Sequence, residues 1–165
     1  TDEFCLVPHV KEWVGELIKK DLDVKQIKLT IAGTNLLGIF AAGNSNGVVV
    51  PELIRKSELE VLKKHTDALV LKGKYTAIGN LVLANDKGCI ISRSLKKHKS
   101  DIEDFLKVKV AVHDIGNLEI VGSLTFATNK GCLVSKLASK KDLETIENSL
   151  GVKTGFATVG SRNNP

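Results

Sequence analysis

Three stretches of the chain share one arrangement of apolar and polar positions: a glycine, a short apolar run, a small polar turn with a second glycine, and another apolar run. They cover residues 38–50, 79–91 and 122–134, and in each the two glycines stand nine positions apart. The turns are Asn44-Ser45-Asn46-Gly47, Asn85-Asp86-Lys87-Gly88 and Thr128-Asn129-Lys130-Gly131. Small polar residues and glycine supply a hairpin's backbone angles at low steric cost, so each stretch predicts a β-hairpin whose second glycine serves the turn. The turn glycines are 41 and 43 residues apart, a repeat of supersecondary size.

Helical patterns fill the intervals. Val10, Trp13, Val14, Leu17 and Ile18 fall on one face, opposite Lys11, Glu12, Glu16, Lys19 and Lys20, and predict a surface helix packed on its apolar side. Residues 24–31 alternate as a strand. In the second unit Ser57-Glu58-Leu59-Glu60 has the S-x-x-E form of a capping box, Leu59 and Leu62 face inward, and residues 68–71 read as a return strand. The third unit repeats this with Ser100-Asp101-Ile102-Glu103 and a stripe of Ile102, Phe105 and Leu106; the fourth has Ser139 three residues before Asp142, then Leu143, Ile146 and Leu150. Each unit therefore reads strand, strand, helix, strand. Residues 1–8 can be laid on residues 44–51, which has the chain starting inside a unit at its turn, and another hairpin is due after Val152. One repeat domain over residues 1–165 is expected, with the terminal portions of a longer array missing. Units this small cannot bury both faces alone, so neighbours must pack on one another in an open stack or a closed ring.

Composition adds bounds. The 165 residues are 42% hydrophobic and 26% charged, ordinary for a soluble globular domain, and contain no methionine, which fits a partial sequence. No apolar run approaches the ~20 residues that span a bilayer and no signal-peptide pattern opens the chain, so a cytoplasmic location without membrane contact is expected. The net charge is +5, carried by lysines and only three arginines, Arg55, Arg93 and Arg162. Lysine is a point charge suited to phosphates, although a generally Lys-rich surface explains the excess equally well.

The candidate chemistry is sparse. Cys5, Cys89 and Cys132 share one repeat position with Val48, as small buried strand residues would, and no metal-ligand spacing is present. His113-Asp114 has the form of a base with its orienting carboxylate, but stands where Leu29 and Val70 occur in other units. Lys96-Lys97-His98-Lys99 is a solvated connector or a phosphate contact. Gly38, Gly79 and Gly122 suit a close approach of crowded strands. The residues that follow them, Ile39, Asn80 and Ser123, would recur on one face of a ring and meet a partner there. No catalytic, cofactor or metal residue is assigned.

Ala77-Ile78-Gly79-Asn80-Leu81, Ala84-Asn85-Asp86-Lys87-Gly88, Val121-Gly122-Ser123 and Thr128-Asn129-Lys130-Gly131-Cys132-Leu133-Val134 closely resemble the translation initiation factor six family of archaea and eukaryotes. The resemblance runs from about Cys5 to Thr158-Val159, and the Lys-rich character looks archaeal. It implies a pentein fold, a pseudo-fivefold α/β propeller of ββαβ units, here incomplete at both ends. It also implies a factor, monomeric when complete, that binds the large ribosomal subunit beside the uL14-type ribosomal protein and nearby rRNA and prevents the small subunit from joining. Asn80 matches the family's Leu/Ile-Gly-Asn; Ser123 follows the equivalent glycine of the next unit, and Ile39 stands where eukaryotic members tend to have Arg. The rival reading is a guanidino-group-modifying enzyme on the same propeller, whose nucleophilic Cys would lie close to the C-terminus.

Overall fold

Four short sheets, each built by one repeat, stand side by side in the computed structural model, which describes residues 1–157. The first holds β1 (Phe4–Val7) and β2 (Lys25–Lys28) in parallel, with α1 (Glu12–Leu22) between them in sequence. The second unit is complete: β3 (Ala42–Asn44) pairs antiparallel with β4 (Gly47–Pro51), and α3 (Lys56–Lys63) crosses over to β5 (Ala68–Leu71), parallel to β4. The third repeats this with β6 (Val82–Ala84), β7 (Cys89–Ile91), α5 (Lys99–Leu106) and β8 (Val110–Val112). The fourth uses β9 (Thr125–Ala127), β10 (Gly131–Val134), α6 (Lys140–Leu150) and β11 (Lys153–Phe156). The strand, strand, helix, strand reading is thus the architecture; the segment after residue 157, including Thr158-Val159, lies outside the described residues.

The helices α5 and α6 are shared between units. α5 packs on β8 of its own sheet and on β4 of the sheet before it, and α6 likewise joins β11 to β7. One core cluster therefore combines Val49 and Leu71 of unit two with Ile102 and Leu106 of α5, and the next sets Leu83 and Ile90 of unit three against Ile146 and Leu150 of α6. Burial is at or near complete at these positions, so the units cannot separate without exposing about 1.5–3 kcal/mol of apolar contact per side chain. α1 has no preceding sheet among the described residues, and no residue of it is buried. Trp13 stays 59% exposed and Leu17 48%, so the packed side expected of this helix is open.

Two capping expectations need correction. Ser57 does not cap α3; the helix starts one residue earlier, and Glu58 accepts from the Arg55 amide at 2.9 Å. Ser100 lies inside α5, which follows directly on a 3-10 turn over Arg93–His98 whose cap is Ser92. Glu103 instead reaches forward to the Val110 amide at 2.9 Å and fixes the start of the return strand. The Ser139–Asp142 box is formed as read.

Candidate functional site

Parallel β4–β5 and antiparallel β3–β4 pairing gives every sheet two distinct ends. The polar hairpin turns and the C-termini of the long helices gather at one end. The segment before each hairpin and the loops leaving the middle and return strands gather at the other.

At that second end the glycines Gly38, Gly79 and Gly122 do not open strands. They sit in helical turns: α2 (Leu37–Phe40), α4 (Ile78–Leu81) and a 3-10 turn over Val121–Ser123. The three turns have one construction. Leu36, Ala77 and Ile120 enter with φ/ψ of −83/52°, −86/61° and −95/55°, and their carbonyls accept from the amides of Ile39, Asn80 and Ser123 at 3.1, 3.0 and 3.0 Å. α4 packs between α2 and the 3-10 turn. The fit is close enough to require glycine: a Cβ on Gly79 would stand 2.0 Å from the Gly38 oxygen, and one on Gly122 2.0 Å from the Gly79 oxygen. Close approach is confirmed for these two, between turns rather than strands; Gly38 has nothing within 4 Å.

Stacking brings Ile39, Asn80 and Ser123 into one row. Ile39 is 37% exposed, Asn80 half-buried and Ser123 exposed. Leu36, Leu118 and Ile120 are exposed on the adjoining turns and loops, so the row lies in a partly apolar surface.

Carboxylates behind this surface lock one unit to the next. Asp142 accepts from the Ser139 amide and hydroxyl, from the Gly116 amide at 3.1 Å and from His113 Nε2 at 2.7 Å. Burial pushes its carboxyl up, but these hydrogen bonds outweigh it and hold the group down at about 2. Glu58 does the same between units one and two, accepting from the Thr30 hydroxyl and the amides of Ala32, Gly33 and Arg55; its carboxyl is likewise held low against the burial that would raise it. The His113-Asp114 pair is not formed, because Asp114 turns instead to Ser92, the Arg93 amide and the Arg93 guanidinium at 3.3 Å.

The hairpin turns at the opposite end form a second set of links. Asn44 Nδ2 donates to the carbonyls of Asn85 and Leu106, and Asn85 Nδ2 to those of Thr128 and Leu150. Asn85 Oδ1 meanwhile accepts from the Lys87 and Gly88 amides, both at 2.9 Å, which closes its own turn. Gly88 is required for space: a Cβ would meet the Ser149 oxygen of α6 at 1.8 Å. The recurrence of Asn44 and Asn85 at an interval of 41 residues is a sequence signal for these links. The clamps at Glu58 and Asp142 recur too: each is a carboxylate eleven residues after its turn glycine and third in its helix, while the third unit has Lys99 at that position.

Cys5, Val48, Cys89 and Cys132 occupy equivalent places on the middle strands, as their repeat position implied. Cys89 is fully buried, and burial pushes its thiol up far above the usual range; the Cys132 thiol is pushed up to about 11 by burial, against a hydrogen bond from the Phe126 backbone that lowers it. Among the described residues, no group of three His, Cys, Asp or Glu side chains could hold a metal ion, and no helix is long and apolar enough to cross a membrane.

A family model for the eIF-6 family matches residues 1–163. The chain belongs to that family. Its curated relatives are named translation initiation factor 6, and by family the chain is a translation initiation factor. One from Methanococcus maripaludis is 40% identical over 92% of this chain and 70% of its own length. One from Methanococcus vannielii is 39% identical over 98% and 78%, and one from Methanocorpusculum labreanum 32% identical over 97% and 75%. Among solved structures the fold matches DDAH from Pseudomonas aeruginosa, a mutant complexed with citrulline, with a TM-score of 0.58 at 12% identity. That match covers 93% of this chain and 63% of the other, and gives the fold as a mixed α/β fold of the pentein type.

Proposed function

We propose that this factor binds the large ribosomal subunit, beside the uL14-type protein and nearby rRNA, on the surface that meets the small subunit, and keeps the two apart by occupying that surface. Ile39, Asn80 and Ser123 are its contact row. Membership of the eIF-6 family over nearly the whole chain carries this reading. The stacked glycine turns support it, because they hold three solvent-accessible positions, Asn80 half-buried and the other two exposed, without assigning them any work in the fold. Steric occupation needs no chemistry, only a preformed face and enough affinity to outlast encounters with the small subunit. It would take place in the cytoplasm.

The enzyme alternative fits these residues poorly. A cysteine nucleophile needs a lowered pKa and access to substrate. Cys89 and Cys132 have raised pKa values and are buried in middle strands, and His113 is committed to Asp142.

Sedimentation with purified archaeal subunits across a salt series tests the proposal. The expected result is travel with the large subunit alone and fewer joined ribosomes, both weakened by Asn80→Asp. Failure to bind either subunit at low salt would overturn it.

A further inference from the structure

We infer that the loop at residues 72–75 and the 3-10 turn Arg93–His98 form one surface for the phosphate backbone of ribosomal RNA; this rests on the ribosome reading above and names a second part of that interface. The two basic runs come from consecutive units and meet in space. Lys97 Nζ lies against Gly73, so close that a Cβ there would be 3.4 Å from it. Lys72, Lys74, Lys96 and Lys97 are exposed, and none has a carboxylate within 4.0 Å among the described residues.

At the opposite end of the sheets, three lysines are used internally. Lys87 Nζ donates to the Asn129 and Gly151 carbonyls, Lys153 pairs with Glu147 at 3.5 Å, and Lys25 donates to the His65 carbonyl. Around the 72–75 loop the carboxylates are the occupied groups: Glu52 accepts from the Gly73 amide, Asp114 holds Arg93, Glu119 accepts from Ser94, and Asp101 lies 3.6 Å from His98. Four ammonium groups are therefore left facing water. Compact point charges of this kind suit phosphate oxygens better than base edges.

The surface is held firmly and lies beside the contact row. Leu95 is fully buried and Ser92 caps the turn, which fixes Lys96 and Lys97, while Gly73 is tied to Glu52. Lys74 Nζ stands 5.2 Å from the ring centroid of Tyr75, and this loop runs directly into the turn that carries Asn80. A partner seated on Asn80 would bring its flank onto the lysines.

The test compares three forms of the chain: unaltered, with Lys72, Lys74, Lys96 and Lys97 each changed to Gln, and with Lys19, Lys20, Lys63 and Lys64 each changed to Gln as a control of equal charge. Each is titrated against archaeal large subunits and against a 20-base-pair RNA duplex over a salt series, with far-UV circular dichroism to show that all are folded. The logarithmic salt slope should fall by about 0.7–0.9 for each phosphate that is no longer neutralised, hence by about 3 in the first variant, and its affinity more than tenfold at low salt, with the control unchanged. Equal slopes in the two variants, where the unaltered chain does bind subunits, would overturn the inference and leave the contact row standing. Loss of subunit binding without any RNA-duplex binding by the unaltered chain would overturn the RNA assignment in favour of an acidic protein surface. No subunit binding by the unaltered chain would overturn the reading on which the inference rests.

Discussion

Gly38 and Gly79 hold the same place in consecutive units, yet only Gly79 has a neighbour pressed against it. Neither has a positive φ, so alanine suits the backbone at both and the difference reduces to space. A methyl on Gly79 would lie 2.0 Å from the Gly38 oxygen and 2.8 Å from the Ala41 oxygen, both backbone atoms that move only if the stacked turns move. Overpacking of this kind costs about 1–3 kcal/mol. At Gly38 the methyl meets nothing within 4 Å, and the reduced flexibility of the unfolded chain stabilises by about 0.4–1 kcal/mol. The two substitutions should therefore differ by about 1.5–4 kcal/mol, in opposite directions from the unaltered chain. Urea unfolding followed by circular dichroism resolves this, since with a slope of about 2 kcal/mol/M the midpoints separate by about 1 M. Gly122→Ala should behave as Gly79→Ala does, because its methyl would meet the Gly79 oxygen at 2.0 Å. Equal midpoints for Gly38→Ala and Gly79→Ala would refute the stacked-turn account of the face.

Asn85→Ala removes two donors and two accepted hydrogen bonds at a buried site and leaves the Leu150 carbonyl and Gly88 amide unpaired; a loss of about 2–4 kcal/mol is expected by the same unfolding assay. Asp142 is held below the ordinary carboxylate range, at about 2, so its contribution is present above pH 4 and is lost as pH falls from about 4 through about 2; acid unfolding of Asp142→Asn should lack that part of the pH dependence. Trp13→Ser with Leu17→Ser should leave stability within about 0.5 kcal/mol, because both side chains are largely exposed. The same pair should reduce concentration-dependent self-association in sedimentation velocity, which the exposed apolar faces of α1 and of the sheet carrying Phe126, Leu133 and Phe156 are expected to cause. Of the three cysteines, half-buried Cys5 should react first with a thiol reagent and fully buried Cys89 last, as peptide mapping would show.

The parts of the fold set by periodicity were legible because burial alone decides them. Val48, Cys89 and Cys132 alternate into the core on every middle strand, and the stripes Ile102–Phe105–Leu106 and Leu143–Ile146–Leu150 seat two helices with no need of other information. Where a local signal competes with contacts from another unit, the sequence misleads. Ser57-x-x-Glu60 has the form of a cap, but Glu58 wins because three amides and a hydroxyl from two units converge on it. His113-Asp114 fails as a pair for the same reason, since each side chain has a better-placed partner in a neighbouring segment. α1 shows the converse: an amphipathic stripe states what a helix is able to bury, and only a neighbouring sheet decides whether it does.

The same division of labour marks out the candidate site. In each glycine turn the preceding carbonyl carries the fold, joined at Gly79 and Gly122 by the close-packed glycine, and the residue that follows carries none of it: Ile39, Asn80 and Ser123 enter the turn through their backbone amides alone. Side chains there are free to differ without cost to stability, and they do, being apolar, amide and hydroxyl in three otherwise equivalent places. A position held rigidly by its neighbours and left open in its own chemistry is well suited to recognition. Ile39→Arg, Asn80→Asp and Ser123→Asp should therefore shift unfolding by less than about 0.5 kcal/mol while changing affinity for the large subunit. A matching loss of stability and binding would mean that these side chains serve the fold instead.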